Sequence, residues 1–452
     1  MRTYDKRIAF LISDQHFIPH GGIGQFAKGF TEMCQRINWK VDIILDKQPT
    51  NEFSEVVKSL GANIVYPGDS LKYSDHTATF AFTDTINFEK IVNFRKAILK
   101  AFEENIYDMI VCNTQESMSA AYAMTVHKYI PVVFYTHLHS MIFRESKGSD
   151  VFLDSYHKFY NKHMEFDDIV IGTQSQKNVR ELNKHSVKNA VVLGLPMTER
   201  GLLEPYMGDR RGVLFIGRWE EGKNPEAYIK VMKQCGLPCK VMTNANGAKK
   251  FEKAFKEVGI TDYEIKASII GQEKVDFIKS CRVHFNPSHR ESYGIAFMEC
   301  LGHLSCVVLH NQDWSYNFAD EHYTMTDMDN AHEIIELVYQ STPEEYYSTG
   351  ALEYVKSLDA STQMGWIDFL NNFKSHQSKT NAAKINEYET VKYSDYINDL
   401  NRTHLAREDF ESVLSNRHKF KVIYTDTDTY LTKDTNFTPT EETAGVSLFE
   451  GL

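Results

Sequence analysis

The chain has 452 residues, of which 42% are hydrophobic and 25% are charged, and its formal net charge is −11. A chain of this length is too long for one ordinary hydrophobic core, so two or three domains are expected. The composition is typical of a soluble globular protein, and no apolar run approaches the roughly 18 residues that a membrane-spanning helix needs. The sequence therefore argues against a membrane-embedded or a largely disordered protein.

The negative charge lies in the second half of the chain. Residues 1–200 hold 23 Lys and Arg against 23 Asp and Glu, whereas residues 201–452 hold 27 against 38. The acidic second half argues against a large nucleic-acid footprint there, and the neutral first half leaves that question open. The seven cysteines have no spacing typical of a disulfide framework or a metal site, which favours a reducing, cytoplasmic location.

Short apolar runs alternate with helix-like segments along the chain. The first series of runs, each typical of a buried strand, is KRIAFLIS, KVDIILD, NIVYPG, DMIVCN, PVVFYT and DDIVIGT. A second series begins at RGVLFIG and continues through CKVMTN, YEIKASI, RVHFNPS and CVVLH. Strands that alternate with helices indicate parallel α/β sheets. The sequence therefore predicts two Rossmann-like domains, at residues 1–203 and 204–365, and a C-terminal extension at 381–452 for which partial disorder is expected.

Ligands of parallel sheets bind at the carboxyl ends of the strands, so the loop after the first strand is a candidate site. This loop, HGGIGQ, contains Gly22 and Gly24. Glycines let the backbone approach a ligand closely, and the N-terminus of the following helix attracts an anion. A plain tight turn explains the same residues equally well.

The loop after RGVLFI carries two cations, Arg218 and Lys223, within GRWEEGKNP. Two cations from one loop suit a diphosphate, because Arg offers a bidentate fork and Lys a point charge. Two solvated surface cations are the alternative interpretation.

The stretch RVHFNPSHRESYGIAFMECLG reads as a strand, a loop and a helix, with Glu291 before the helix and Glu299 within it. Carboxylates form hydrogen bonds with vicinal hydroxyls, as in the ribose contact of dinucleotide-binding folds. Glu291 could instead simply favour the helix dipole. Glu299 lies among apolar residues, where a carboxylate needs a partner.

In this order, the motifs resemble those of glycosyltransferase family 4, whose members are retaining enzymes of the GT-B fold. The resemblance rests on GGIGQFAKGF, GRWEEGKN, IIGQEKVDFIKSCRVHFNPS, PSHRESYGIAFMEC and STQMGWIDFL, and it covers about residues 6–375. It implies two Rossmann-like parallel-sheet domains that face a central cleft, with a C-terminal helix crossing back to the first domain at residues 366–380. The chain departs from the family pattern at Leu304 and Cys306, which replace a Gly and a Pro.

The resemblance implies a role for each candidate residue on the donor side. Arg218 and Lys223 would neutralise the diphosphate of the donor as it leaves. Glu291 would hold the transferred sugar, and Glu299 would hold the ribose hydroxyls. The remaining donor-binding positions are Gly22 and Gly24 in the first domain and Ser292, Tyr293 and Gly294 at the start of the helix.

The resemblance also places residues of the first domain near the reaction. His137, in YTHLHS, would lie near the donor sugar as a catalytic residue, and His139 is the second choice. A buried structural histidine is the alternative for either. The acceptor-side candidates are His139, Arg144 and His163, in a segment that mixes basic and aromatic residues.

The implied activity is retaining transfer of a sugar, hexosyl or pentosyl, from a nucleotide diphosphate sugar to a hydroxyl group. A UDP-sugar is the first choice of donor, and no cofactor and no metal ion are expected. Asp426 and Asp428 form an Asp-x-Asp in the Thr-rich tail, which is weak evidence for a metal site. The acceptor is a glycan or a lipid-linked sugar; the alternative is 5-hydroxymethylcytosine in phage DNA, which would place the protein in the host cytoplasm. An inactive protein that binds nucleotide sugars is the third hypothesis.

Overall fold

A computed structural model of the chain describes most of both predicted α/β regions. The described residues are 4–13, 22–72, 88–113, 117, 120–121, 130–135, 169–184, 190–196, 208–289, 291, 293–303, 305–317, 323–341, 351–388, 420–424 and 429–433. The chain divides into two compact units, Met1–Leu193 together with Met364–Leu452, and Gly194–Gln363. The sequence places the first boundary ten residues later, at 203, and residues 197–207 lie outside the described part.

The first unit contains a seven-stranded parallel sheet with the order β3-β2-β1-β4-β5-β6-β7. The central strand β1 is apolar and fully buried from Ile8 to Leu11, as expected for a strand that helices cover on both faces. The strands are β1 Lys6–Leu11, β2 Trp39–Ile44, β3 Asn63–Val65, β4 Met109–Cys112, β5 Val132–Tyr135, β6 Ile169–Thr173 and β7 Ala190–Val192. The helices are α1 Gly22–Arg36, α2 Asn51–Ser59, α3 Phe88–Glu104 and α4 Gln176–Lys184.

Asp42 in β2 is a buried carboxylate whose hydrogen bonds link Arg7 in β1 to Asn63 in the edge strand β3. Its Oδ2 accepts hydrogen bonds from Arg7 Nε at 2.7 Å and from the Tyr107 hydroxyl at 2.6 Å. Its Oδ1 accepts a hydrogen bond from Asn63 Nδ2 at 2.9 Å. These donors compensate for the loss of water around a fully buried charge, so this network is structural.

The second unit contains a six-stranded parallel sheet with the order β10-β9-β8-β11-β12-β13. One face is covered by an aromatic core in which Phe215, Tyr228, Phe251 and Phe255 are buried. The strands are β8 Val213–Ile216, β9 Cys239–Thr243, β10 Tyr263–Ala267, β11 Val283–Asn286, β12 Cys306–His310 and β13 Thr324–Thr326. The helices are α5 Pro225–Cys235, α6 Ala245–Val258, α7 Gly271–Lys279, α8 Ile295–Gly302 and α9 Ala331–Gln340.

A 38-residue helix, α10 (Ala351–Tyr388), carries the chain from the second unit into the first, which it joins at Met364. Trp366 on this helix is fully buried, and its ring lies 4.7 Å from that of Phe30 and 6.1 Å from that of Tyr135. The predicted return of a C-terminal helix to the first domain is therefore confirmed, although the helix is longer than residues 366–380. In the C-terminal extension, β14 (Phe420–Tyr424) and β15 (Thr429–Lys433) form an antiparallel hairpin.

The predicted α/β class with two parallel sheets is confirmed, because each apolar run identified in the sequence contributes a strand. The sequence missed β7 and β13, which are edge strands of only three residues each. Within the part of the chain that the structure describes, no helix is long and apolar enough to cross a membrane.

Candidate functional site

The candidate site lies beside β8 and β11, where the order in which the chain adds strands to the second sheet reverses. The chain adds β9 and β10 on one side of β8 and adds β11, β12 and β13 on the other side. Loops at the carboxyl ends of strands beside such a switch point are the usual ligand site of open α/β sheets. Here these loops are residues 217–224 after β8 and residues 287–294 after β11, and β8 pairs directly with β11.

Hydrogen bonds to backbone carbonyls hold the two loops together. The backbone N–H of His289 donates a hydrogen bond to the carbonyl of Gly222 at 3.0 Å, and Asn224 Nδ2 donates to the carbonyl of Pro287 at 3.3 Å. Trp314 anchors the loop after β11, because its buried indole N–H donates a hydrogen bond to the carbonyl of Ser288 at 3.0 Å. The loops therefore keep a fixed mutual position.

The ion pair between Lys223 and Glu291 is the centre of the site. Lys223 Nζ lies 2.6 Å from each carboxylate oxygen of Glu291. Glu291 Oε1 also accepts hydrogen bonds from Ser288 Oγ at 3.0 Å and from Asn286 Nδ2 at 3.3 Å. Only 11% of the Glu291 side chain and 24% of the Lys223 side chain are exposed. The carboxylate is thus oriented by three side chains, and the ammonium remains accessible to a ligand.

Local backbone geometry explains how Lys223 reaches this position. Glu221–Lys223 form one turn of 3₁₀ helix, and Asn224 then adopts the left-handed conformation with φ of 52° before α5 begins at Pro225. Asparagine tolerates this conformation better than most residues, and proline suits the first position of a helix. The local sequence EGKNP therefore turns the chain sharply and directs Lys223 toward the loop after β11.

Arg218 lies in the same loop but has a different partner. Its guanidinium is half-exposed and forms an ion pair with Glu220 at 3.2 Å. An exposed pair of this kind contributes little to stability, because water and salt screen it. The Arg218 side chain is thus 51% exposed in the same loop as Lys223.

The turn before α8 contributes its backbone to the site. Gly294 has φ of +88° and precedes Ile295, the first residue of the helix. A residue with a side chain would be strained there, which explains the glycine. Tyr293 is buried, and burial raises the pKa of its hydroxyl well above the ordinary value. The N–H groups at the N-terminus of α8 are the groups suited to an anion.

Glu299, in the second turn of α8, has a buried partner that sequence reasoning did not identify. Its Oε1 accepts a hydrogen bond from Lys274 Nζ in α7 at 2.5 Å, and only about a tenth of either side chain is exposed. The prediction that Glu299 needs a partner was based on its apolar neighbours. Lys274 was missed although it also lies among apolar residues, in EKVDFIK.

A buried histidine lies on β11, the strand that also carries Asn286, a hydrogen-bond donor to Glu291. His284 in β11 is fully buried, and its Nδ1 lies 3.0 Å from the carbonyl oxygen of Leu214. Burial lowers the pKa of His284 to about 4, while Glu291 raises it and Lys223 lowers it by smaller amounts. The imidazole is therefore neutral at pH 7 and adds no charge to the site.

The structure describes only some of the remaining predicted site residues. Gly22 and Gly24, which the sequence analysis places in the loop after the first strand, lie instead in the first turn of α1. Among the described residues, no group of three or more His, Cys, Asp or Glu side chains is arranged to hold a metal ion. The residues on which the structure does not report are His137, His139, Arg144, His163, Ser292, Asp426 and Asp428.

Comparison with solved structures identifies the fold. No protein-family model and no curated protein sequence matches the chain. HepE from Anabaena, solved in complex with UDP and glucose, shares 12% identity over 84% of this chain and 100% of its own, with a TM-score of 0.57. Sucrose-phosphate synthase from Thermosynechococcus elongatus shares 12% identity over 82% of this chain and 100% of its own, with a TM-score of 0.64.

A third similar structure is the catalytic domain of starch synthase IV from Arabidopsis thaliana, bound to ADP and acarbose. It shares 12% identity over 82% of this chain and 100% of its own, with a TM-score of 0.55. These neighbours are glycosyltransferases of the GT-B fold, and at such low identity the likeness establishes the fold alone. The chain therefore has the GT-B fold, as the sequence predicts.

The buried imidazole of His284 makes the second unit sensitive to acid. Its folded-state pKa of about 4 lies below the ordinary value of 6.5, so its contribution to stability is complete above pH 6.5 and is lost as the pH falls toward 4. We expect this residue to lower the free energy of unfolding by up to about 3 kcal/mol across that interval. Urea unfolding of His284→Gln at pH 7 and pH 4.5 should show a smaller difference than wild type. The exposed His289→Gln serves as control, and equal differences in all three proteins would contradict the prediction.

Proposed function

We propose that the protein is a glycosyltransferase that moves a sugar from a nucleotide diphosphate sugar to a hydroxyl acceptor. One observation carries the proposal: Lys223 and Glu291 meet at the switch point of the second sheet, where the loops after β8 and β11 touch. A cation beside an oriented carboxylate suits a ligand that presents a diphosphate next to hydroxyl groups. The bound molecules of the structural neighbours, UDP with glucose and ADP with acarbose, belong to this class.

The site can stabilise a diphosphate leaving group without a general base from the protein. Lys223 and Arg218 would meet the negative charge that grows as the bond to the sugar breaks, and the N-terminus of α8 would add N–H dipoles. A retaining course follows if the acceptor approaches from the side of the leaving group and a phosphate oxygen takes its proton. We propose that this reaction needs no metal ion, because protein cations supply the neutralising charge.

The two glutamates would hold different parts of the donor. Glu291 would bind hydroxyls of the transferred sugar, whose ring flattens and gains positive charge in an oxocarbenium-like transition state. Glu299 would bind the ribose, which does not change during the reaction. UDP-sugars are our first choice of donor, and Gly22, Gly24 and His137 of the first unit remain predicted contributors.

The acceptor would bind the first unit, and we propose a glycan or a lipid-linked sugar. Hydroxymethylated cytosine in DNA is the alternative, because α4 carries Lys177, Arg180 and Lys184, and cations of this kind hold phosphates. Incubation with a panel of UDP- and ADP-sugars, with glycan acceptors or with hydroxymethylated DNA, followed by mass spectrometry, distinguishes these acceptors. Binding of nucleotide without any transfer would support the third hypothesis, an inactive binding protein.

Removing either cation of the loop after β8 should slow transfer. Arg218→Ala and Lys223→Ala each remove a group that meets charge developing in the transition state, and comparable losses cost about 100-fold in turnover. The measurement is the rate of sugar transfer, or of donor hydrolysis if no acceptor is found. Lys230→Ala, at an exposed position of α5, is the matched control. Wild-type rates in both variants would refute the assignment.

The two glutamates should change affinity for free nucleoside diphosphate in opposite directions. Glu291→Gln frees Lys223 from its ion pair, so affinity should rise by about fivefold while turnover falls, given an ion-pair energy on the order of 1 kcal/mol. Glu299→Gln should instead weaken binding by about tenfold, because a charged acceptor for the ribose is lost. Calorimetric titration with UDP and ADP measures both. A fall in affinity in Glu291→Gln together with a rise in Glu299→Gln would mean that the two roles are exchanged.

A further inference from the structure

Lys274 in α7 and Glu299 in α8 form a largely buried ion pair. Their side chains are 11% and 10% exposed, and the Nζ–Oε1 distance is 2.5 Å. The neighbouring positions Val275, Ile278, Met298 and Cys300 are buried apolar residues. Both charges are therefore largely withdrawn from water, and the ion pair offsets part of that cost.

Stability alone does not explain this pair. The desolvation of two charges often offsets their attraction, and well-packed apolar residues of similar volume are frequently as stable. An ion pair in this position is better explained by a need for a charged, fixed carboxylate. Within the described residues, Glu299 Oε2 accepts no hydrogen bond, so this oxygen is available to a ligand.

The surrounding ionisable groups do not replace Lys274. Burial lowers the pKa of His303 to about 4, and burial raises the pKa of the Cys300 thiol well above its ordinary value, so both are neutral at pH 7. Arg210 donates to the carbonyl of His303 at 2.5 Å and to Ser305 Oγ at 3.2 Å. Lys274 is therefore the cation that the structure places in contact with Glu299.

We propose that Lys274 is a positioning residue for nucleotide recognition. Its ammonium occupies Oε1 and fixes the carboxylate, so that Oε2 faces a ribose hydroxyl as an acceptor. The inference rests on the proposed function, in which Glu299 binds the ribose of the donor. Lys274, on helix α7, would thus act together with Glu299, on helix α8, to select ribonucleotides.

The test compares nucleotides with and without ribose hydroxyls. Calorimetry gives the affinities of wild type and Lys274→Met for UDP and for 2′,3′-dideoxy-UDP, with ADP and its dideoxy form as a second pair. Wild type should prefer the ribonucleotide on the order of tenfold, the contribution of hydrogen bonds to a charged group. In Lys274→Met the preference should fall toward parity, while the affinity for the dideoxy form stays close to that of wild type.

Two further variants separate positioning from general destabilisation. Lys274→Arg keeps the charge and should retain most of the ribose preference. Lys266→Met removes the cation of an exposed ion pair with Glu273 in the same unit and should leave the preference unchanged. If Lys274→Met does not fold, Lys274→Gln, which is polar but uncharged, replaces it with the same expected loss of preference.

The outcomes distinguish this inference from the proposed function. Failure of wild type to bind either nucleotide overturns both. Binding by wild type without preference for ribose overturns the role of Lys274 while leaving nucleotide binding intact. An undiminished preference in Lys274→Met, or in Lys274→Gln where that variant is used, overturns the inference alone.

Discussion

The ion pair between Lys223 and Glu291 fixes the candidate site, because it ties the loop after β8 to the loop after β11. A half-buried pair persists only if both charges find enough compensation for the water that they lose. Ser288 and Asn286 supply that compensation on the carboxylate side. Lys223 remains partly exposed, and an incoming diphosphate can compete for it. The same contact therefore holds the loops in place while Lys223 stays 24% exposed.

Three buried or half-buried carboxylates in this chain illustrate two uses of charge. Asp42 accepts hydrogen bonds at both oxygens from Arg7, Tyr107 and Asn63, and it has little capacity left for a ligand. Glu291 and Glu299 each pair with one lysine at the carboxyl-end loops or on the helix that follows them. Fixed donors on both oxygens mark Asp42 as a structural carboxylate, whereas Glu299 pairs with Lys274 through Oε1 and keeps acceptor capacity that suits a hydroxyl group.

The proposed chemistry depends on where the second sheet changes direction. Parallel strands deliver their following loops to one edge, and the reversal of strand order at β8 places the loops after β8 and β11 side by side there. Helix α8 begins at this point, so its N–H groups join Lys223 and Arg218 in a region suited to negative charge. Glycosyl transfer from a nucleotide diphosphate sugar uses this combination, because charge accumulates on the leaving diphosphate.

The sequence by itself determined 11 of the 13 strands of the two parallel sheets, the order of the loops and the residue types that carry charge. Apolar runs identify buried strands, and polar residues directly after them identify the ligand edge, since both signals are local. Only the tertiary structure decided that Lys223 pairs with Glu291, 68 residues away, and that Lys274 pairs with Glu299, 25 residues away. Periodicity shows that a side chain is buried, but the neighbour that it meets depends on the sheet order and helix packing, which local sequence does not encode.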